Sequence, residues 1–200
     1  MTSVGAVVLA GGRSRRFGTD KATARVGGVS LLSRVLDVAA PLVDEVVVVG
    51  PWAPPGYART LEPVRHEGPL AGLAWGLAAV GTGHALVLGC DHPLLDTGLL
   101  GHLLARRHEA DAVVTRGPNG PEPLVGVYDT ALAAVAEELT DSGERRLAAL
   151  LDRCTVAWVE PEIWSTFDPE GRSFLDVDWP EDIDRIEALL PAEAEVPWDP

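Results

Sequence analysis

Short, nearly continuous apolar runs alternate along this chain with segments of helical period. Ala6 to Ala10, Glu45 to Gly50, Ala85 to Gly89 and Ala112 to Thr115 are four such runs. Runs of this length, rich in Val and Leu and bounded by Gly, predict strands buried on both faces, as in a parallel sheet. Leu31, Leu32, Val35, Leu36 and Ala39 fall on one face of a helix that Ser30 can cap and Pro41 stops. Leu70 to Val80 predicts a second helix, with Leu73, Leu77 and Val80 on one face, and Thr97 to His108 a third. Strands alternating with helices at this spacing mean βαβ units with right-handed crossovers. The predicted fold class is α/β: a three-layer α/β/α sandwich on a mainly parallel, doubly wound sheet.

The second half is less regular. Glu122 to Tyr128 predicts a strand, Thr130 to Leu139 a helix, Thr140 to Gly143 a turn and Glu144 to Leu151 a short helix. Thr155 to Val159 and Phe174 to Val177 predict further strands. Pro180 suits the first position of a last helix, Ile183 to Leu190, with Glu181 and Asp182 favouring its N-terminus. One domain over residues 1–190 is expected. The acidic, proline-bearing residues 191–200 are expected to form a disordered tail.

Charge sharpens the picture at one place. The 200 residues carry a net charge of −14, which argues against a general affinity for nucleic acid or anionic membranes. Yet Arg13, Arg15, Arg16 and Lys21 gather directly after the first apolar run, among Gly11, Gly12 and Gly18. Glycines let backbone N–H groups approach an anion, and Arg and Lys neutralise phosphate charge. This stretch therefore reads as a triphosphate-binding loop at the end of the first strand; the plainer reading is a basic turn. Cys90 and Cys154, the two cysteines, have no metal-ligand spacing; a single disulfide or two free thiols both fit. No apolar stretch reaches the ~18 residues needed to span a bilayer, and no leader pattern opens the chain, so a cytoplasmic protein is expected.

In an open parallel sheet, ligands bind beyond the carboxyl ends of the strands. Asp91 sits there, directly after the third apolar run and before His92-Pro93. A carboxylate so placed can hold a Mg²⁺ that bridges phosphates, or can simply cap the next turn. His92 reads as a turn residue. Gly68-Pro69-Leu70-Ala71-Gly72 opens a helix and would let a planar ligand or a backbone come close.

These pieces together resemble the molybdenum cofactor guanylyltransferases. Leu9-Ala10-Gly11-Gly12, three residues, Arg16-Phe17-Gly18-Thr19-Asp20-Lys21 is similar to that family's opening signature, with Phe17 where Met is usual. Gly68 to Gly72 resembles its GPLAG, Cys90-Asp91-His92-Pro93 its CDxP metal motif, and Glu122-Pro123-Leu124 the segment before its next strand. Gly143 to Leu147 and Phe174 to Asp182 resemble its later motifs, with Trp179 in place of Thr; Gly50-Pro51 stands where an Asn is common. The resemblance implies a Rossmann-like sheet of the nucleotide-diphospho-sugar-transferase type. It implies transfer of GMP from GTP to the terminal phosphate of molybdenum-bound molybdopterin, with Mg²⁺ and release of pyrophosphate. Leu9, Ala10 and Gly11 would then contact the nucleoside by backbone; Gly12, Arg16 and Lys21 would hold the triphosphate; Gly68, Pro69, Leu70, Ala71 and Gly72 would border the nucleotide; and Asp91 would hold the metal. Arg16, Lys21 and Asp91 would carry catalysis. Neither nucleic acid nor membrane is an expected partner, while transient contact with proteins that deliver molybdopterin or receive the product is. Relatives of this fold that use CTP, or act on other phosphorylated acceptors, provide the rival reading. A nucleotide-binding accessory protein without turnover is the third.

Overall fold

The structure, a computed structural model, describes residues 3–11, 21–60 and 68–190. The chain enters through β1 (Gly5–Leu9), all five residues of which are buried. A hairpin of β2 (Arg25–Val26) and β3 (Val29–Ser30) follows, turned by Gly27 and Gly28 at φ 55° and 75°. Two successive positive φ angles match the twist of a tight hairpin, and glycine adopts them without strain. Ser30 then caps α1 (Leu31–Ala39), its hydroxyl accepting from the Ser33 N–H at 3.1 Å, and a 3-10 turn containing Pro41 closes that helix. β4 (Glu45–Val49) and β5 (Ala58–Thr60) lead to α2 (Pro69–Ala79), β6 (His84–Gly89) and α3 (Thr97–Ala105). β7 (Ala112–Gly117), β8 (Gly120–Asp129), α4 (Leu132–Asp141), α5 (Ala148–Leu151), β9 (Val156–Val159), α6 (Pro161–Trp164) and α7 (Asp182–Glu187) complete the order.

Among the described residues the main sheet has seven strands in the order β5-β4-β1-β6-β8-β7-β9. β1 lies between β4 and β6, parallel to both. Its residues alternate between the two faces: Ala6 and Val8 join the core under α1 and α3, while Val7 and Leu9 join the core under α2 and α4. Three layers result, as the hydrophobic pattern predicts. The strand order turns back at β1 and β6, and the crevice beyond their carboxyl ends is where such sheets take ligands.

Four expectations need correction. Ala112 to Thr115 does not extend the contiguous parallel run, because β8 lies between β6 and β7, antiparallel to both. Its direction follows from its connection: only Pro118 and Asn119 join β7 to β8, and so short a link makes an antiparallel hairpin. Phe174 to Val177 is not a strand. The Asp168 carboxylate accepts from the Arg172 and Ser173 N–H groups at 3.0 and 2.7 Å and closes a 3-10 turn over Arg172–Phe174. The last helix spans Asp182–Glu187 and stops short of Leu190, and Pro180 lies in the turn before it, which the Asp182 carboxylate holds by accepting from the Asp178 and Trp179 N–H groups. Finally, α4 and α5 begin later than their apolar patterns suggest, at Leu132 and Ala148.

Cys90 and Cys154 are not joined in a disulfide. No helix among the described residues is long and apolar enough to cross a membrane. The proposed tail, residues 191–200, lies outside the described residues.

Candidate active site

The end of β1 is held on both sides. The Ala10 N–H donates to the Val49 carbonyl at 2.8 Å, and the Leu9 carbonyl accepts from the Cys90 N–H at 3.0 Å. These two backbone groups are therefore engaged in extending the sheet, which narrows how Leu9 and Ala10 can contact a nucleoside; Gly11, the next residue, is exposed. Gly50 packs against the same point. A Cβ there would lie 2.8 Å from the Ala10 carbonyl oxygen, so any larger residue would displace the end of β1.

Lys21 opens a 3-10 turn beyond the loop and points into the crevice. Its ammonium lies 3.0 Å from Asp91 Oδ2 and 2.8 Å from Asp178 Oδ1. Asp91 follows β6, and Asp178 comes from the segment before α7, so Lys21 meets carboxylates 70 and 157 residues further along the chain. Burial disfavours the charged lysine, but the Asp91 and Asp178 carboxylates outweigh it and raise the Lys21 pKa above its ordinary value. Burial likewise pushes the Asp91 carboxyl up, yet His92 and Lys21 more than offset this and hold it below the usual carboxylate range.

The two oxygens of Asp91 face different surroundings. Oδ2 meets Lys21, whereas Oδ1 is buried without a hydrogen-bond partner among the described residues and lies 3.7 Å from His92 Nε2. The carboxylate folds back over Gly89. A Cβ at Gly89 would lie closer than 3.0 Å to Oδ1, and 3.2 Å from both His92 Cδ2 and Leu124 Cδ1. His92 stands in the turn, as expected, but is only 7% exposed. Glu122, at the β7–β8 bulge, borders this group: burial raises its carboxyl above the ordinary value, with Asp176 and Asp91 adding and His92 opposing.

Gly68 to Gly72 form the start of α2, with Gly68 at φ 95°. The space a Gly68 side chain would fill is taken by Arg145, whose Cβ and carbonyl oxygen lie 3.1 and 3.2 Å from that point. The turn between α4 and α5 thus packs on the glycine-rich opening of α2. Gly12 and Arg16 lie outside the described residues. Of the anticipated site residues, Leu9, Ala10, Gly11, Lys21 and Asp91 come together at the ends of β1 and β6, with Gly68 to Gly72 on the helix packed against β1 and β4.

Sequence reasoning did not single out Asp178 or Asp182 as site residues. The Asp182 carboxylate accepts from both the Asp178 and Trp179 N–H groups at 2.9 Å, and the Val177 N–H donates to the Asp91 carbonyl at 3.0 Å. These bonds set Asp178 opposite Asp91. Its signal was present: Asp176 and Asp178 are two apart, just ahead of Pro180-Glu181-Asp182.

The model of the MobA-like NTP transferase domain matches residues 6–156. A probable molybdenum cofactor guanylyltransferase of Chloroflexus aggregans is 34% identical over 198 residues, covering 92% of this chain and 93% of that protein. A molybdenum cofactor guanylyltransferase of Desulfosudis oleivorans is 28% identical, covering 96% and 98%. The crystal structure of molybdopterin-guanine dinucleotide biosynthesis protein A from Archaeoglobus fulgidus superposes with a TM-score of 0.81 at 26% identity, over 92% of this chain and 97% of that one. With Lys21, Asp91 and Asp178 assembled at the switch point of a doubly wound sheet, the chain belongs to the MobA-like NTP transferase family and is a nucleotidyltransferase of molybdenum cofactor biosynthesis.

Proposed function

We propose that this enzyme transfers GMP from GTP to the terminal phosphate of molybdenum-bound molybdopterin and releases pyrophosphate. The observation that carries the reading is the convergence of Asp91 and Asp178 on Lys21 beside the end of β1. An acceptor phosphate oxygen attacks the α-phosphorus of GTP. The new oxygen–phosphorus bond forms as the bond from the α-phosphorus to the bridging oxygen breaks, and pyrophosphate leaves with that electron pair. No side chain need be attacked.

The residues work by position and charge. Lys21 donates to the triphosphate oxygens, and Gly12 and Arg16, from the same loop, join it. Gly11 and the neighbouring backbone of Leu9 and Ala10 border the nucleoside, with Gly68, Pro69, Leu70, Ala71 and Gly72 closing it from α2. Mg²⁺ fits Asp91: a buried carboxylate oxygen with no hydrogen-bond partner among the described residues is a hard oxygen donor suited to the ion, and Asp178 supplies a second carboxylate across Lys21. Groups of three or more His, Cys, Asp or Glu suited to a metal do not occur among the described residues. Mg²⁺ is commonly held by one or two carboxylates together with phosphates and water. When bound, Mg²⁺ neutralises charge on the phosphates. Lys21, with Arg16 from the same loop, offsets the charge of the reacting phosphates and keeps them aligned in the crevice, and Asp91 holds Lys21 in place.

The protein is expected to work without nucleic acid or membrane, meeting the proteins that deliver molybdopterin or take up the product only transiently. The test is a transfer assay with molybdenum-loaded molybdopterin, Mg²⁺ and each of GTP, CTP, ATP and UTP, reading pyrophosphate and the dinucleotide product. GTP alone should give both. Product from CTP instead would overturn the base assignment, and no product from any nucleotide would leave an accessory role.

A further inference from the structure

Lys21 stands between the two carboxylates that the reading above offers to Mg²⁺. Its ammonium lies 3.0 Å from Asp91 Oδ2 and 2.8 Å from Asp178 Oδ1. One cation therefore already bridges the pair that a second would use. Mg²⁺ binds its oxygens at about 2.0–2.1 Å, so an ion drawing on both carboxylates comes within a few ångström of the ammonium. Two positive charges that close repel, and more so where water is scarce; the Lys21 side chain is only 17% exposed. The backbone is anchored on each side of the contact. The Lys21 carbonyl accepts from the Ala24 N–H at 3.1 Å, and Ala22 is buried. The Val177 N–H donates to the Asp91 carbonyl at 3.0 Å, and the Asp178 N–H to the Asp182 carboxylate at 2.9 Å. Any exchange of partners at Lys21 is thus made by side chains alone.

The two carboxylates differ in what they lose by such an exchange. Asp178 is 48% exposed, so water can take over when it releases Lys21. Asp91 need not release it, because its other oxygen, Oδ1, is buried with no hydrogen-bond partner among the described residues and is the one suited to a metal. Lysine carries three donors on a flexible four-carbon stem and can turn to a new acceptor while keeping an old one. A triphosphate offers that acceptor: it brings several anionic oxygens to the end of β1, within the crevice into which Lys21 points. We propose that Lys21 is the exchangeable counter-ion of the metal site: while it bridges Asp91 and Asp178 it opposes a divalent ion there, and it yields Asp178 to the ion when a nucleoside triphosphate takes its ammonium. The inference deepens the metal and nucleotide reading above and rests on it. Its consequence is coupling. Metal and nucleotide enter together, and each raises the affinity for the other by the same factor.

The test titrates Mn²⁺, a paramagnetic stand-in for Mg²⁺ whose free form is counted by electron paramagnetic resonance, so no turnover is needed. The proteins are native, Lys21→Met, Lys21→Ala and the double variant Lys21→Met with Asp178→Asn, each checked by thermal melt. Met keeps much of the bulk of the lysine stem, and Ala serves should Met disturb the fold. Without nucleotide, both lysine variants should bind Mn²⁺ about 10- to 100-fold more tightly than native protein, within the usual span of coupling between sites. The double variant should lose most of that gain. With α,β-methylene GTP, in which the bond that breaks in transfer is replaced, native protein should gain Mn²⁺ affinity and Lys21→Met much less. Mn²⁺ binding without nucleotide that is no tighter in Lys21→Met and Lys21→Ala than in native protein would overturn the inference, while Mn²⁺ binding by native protein with the analogue would leave the metal reading standing. A full gain in the double variant would also overturn it, by removing Asp178 from the exchange. Failure of native protein to bind Mn²⁺ even with the analogue would overturn the metal reading itself and this inference with it.

Discussion

Replacing Gly89 by Ala should disable the enzyme while barely loosening its fold. Gly89 ends β6 with its Cα directly beneath the Asp91 carboxylate. An added Cβ would come closer than 3.0 Å to Asp91 Oδ1, a separation that side chains do not tolerate. The offending atom is the free end of a side chain, so it is the carboxylate that yields. Its displacement to ordinary contact is on the order of 1 Å, enough to pull Oδ2 off Lys21 and to cost about 100-fold in rate. The remaining neighbours, His92 Cδ2 and Leu124 Cδ1, stand at 3.2 Å and need give only a few tenths of an ångström. Overpacking of that degree is worth about 1 kcal/mol, the low end of the usual range. For a domain of this size that shifts the thermal midpoint by about 2–4 °C. Transfer assays and thermal melts of Gly89→Ala beside the native protein measure the two effects. Native-like activity would refute the claim that Asp91 must sit where Gly89 allows, and a collapse of stability would refute the reasoning about which atom moves.

Lys21→Ala should lower transfer at least 100-fold and destabilise the protein by about 1–2 kcal/mol, less than for a fully buried pair because Asp178 is half exposed. The pair's contribution is bounded on both sides. Asp91, held low, gives up stability as pH falls through its native value below 3.8, and Lys21, held high, gives it up as pH rises through its native value above 10.5. Melts of the native and Lys21→Ala proteins should therefore differ by a constant amount through the neutral range and converge at strongly acid pH. Glu122 acts in the opposite sense. Its raised carboxyl favours the protonated form, so stability is lost as pH rises from 4.5 through the native value, and Glu122→Gln should melt higher than the native protein at pH 8 but not at pH 4. Gly76→Ala tests the packing of α2, since a Cβ there would meet Val7 Cγ1 at under 3.0 Å and Val49 Cγ2 at 3.1 Å. Helix propensity favours the Ala by about 1 kcal/mol, yet the clash with two buried strands should win, leaving a lower midpoint that Val7→Ala partly restores.

Much of the fold was legible because the dominant force is periodic. β1, β4 and β6 are continuous apolar runs, and parallel strands buried on both faces have to be. α1 appeared at its observed bounds because its cap, its apolar face and Pro41 all agree. β8 was harder. Its residues announce a strand, but its place between β6 and β7 depends on a two-residue turn at Pro118-Asn119 and on which sheet edge was open, and the second is a property of the whole sheet. Phe174 to Val177 was misread because its apolar residues serve two different cores, Phe174 the large one under α1 and α3 and Val177 the small one beside the β2–β3 hairpin, while its N–H groups go to the Gly171, Arg172 and Asp91 carbonyls and not to a neighbouring strand. At the site, Lys21 and Asp91 stood out by residue type and position. Asp178 did not, because its role rests on a contact spanning 157 residues that no local spacing reports. The same limit applies to Gly89: that a Cβ is excluded by a carboxylate two residues later is visible only once the strand end is folded.

The most direct test of the account is GTP-dependent pyrophosphate release, with molybdopterin and Mg²⁺, by Asp91→Asn compared with the native protein. Asn preserves the shape while removing the charge that pairs with Lys21 and would hold the metal. The account predicts at least a 100-fold loss in rate that added Mg²⁺ does not restore, in a protein that remains folded. A native rate from Asp91→Asn would contradict it.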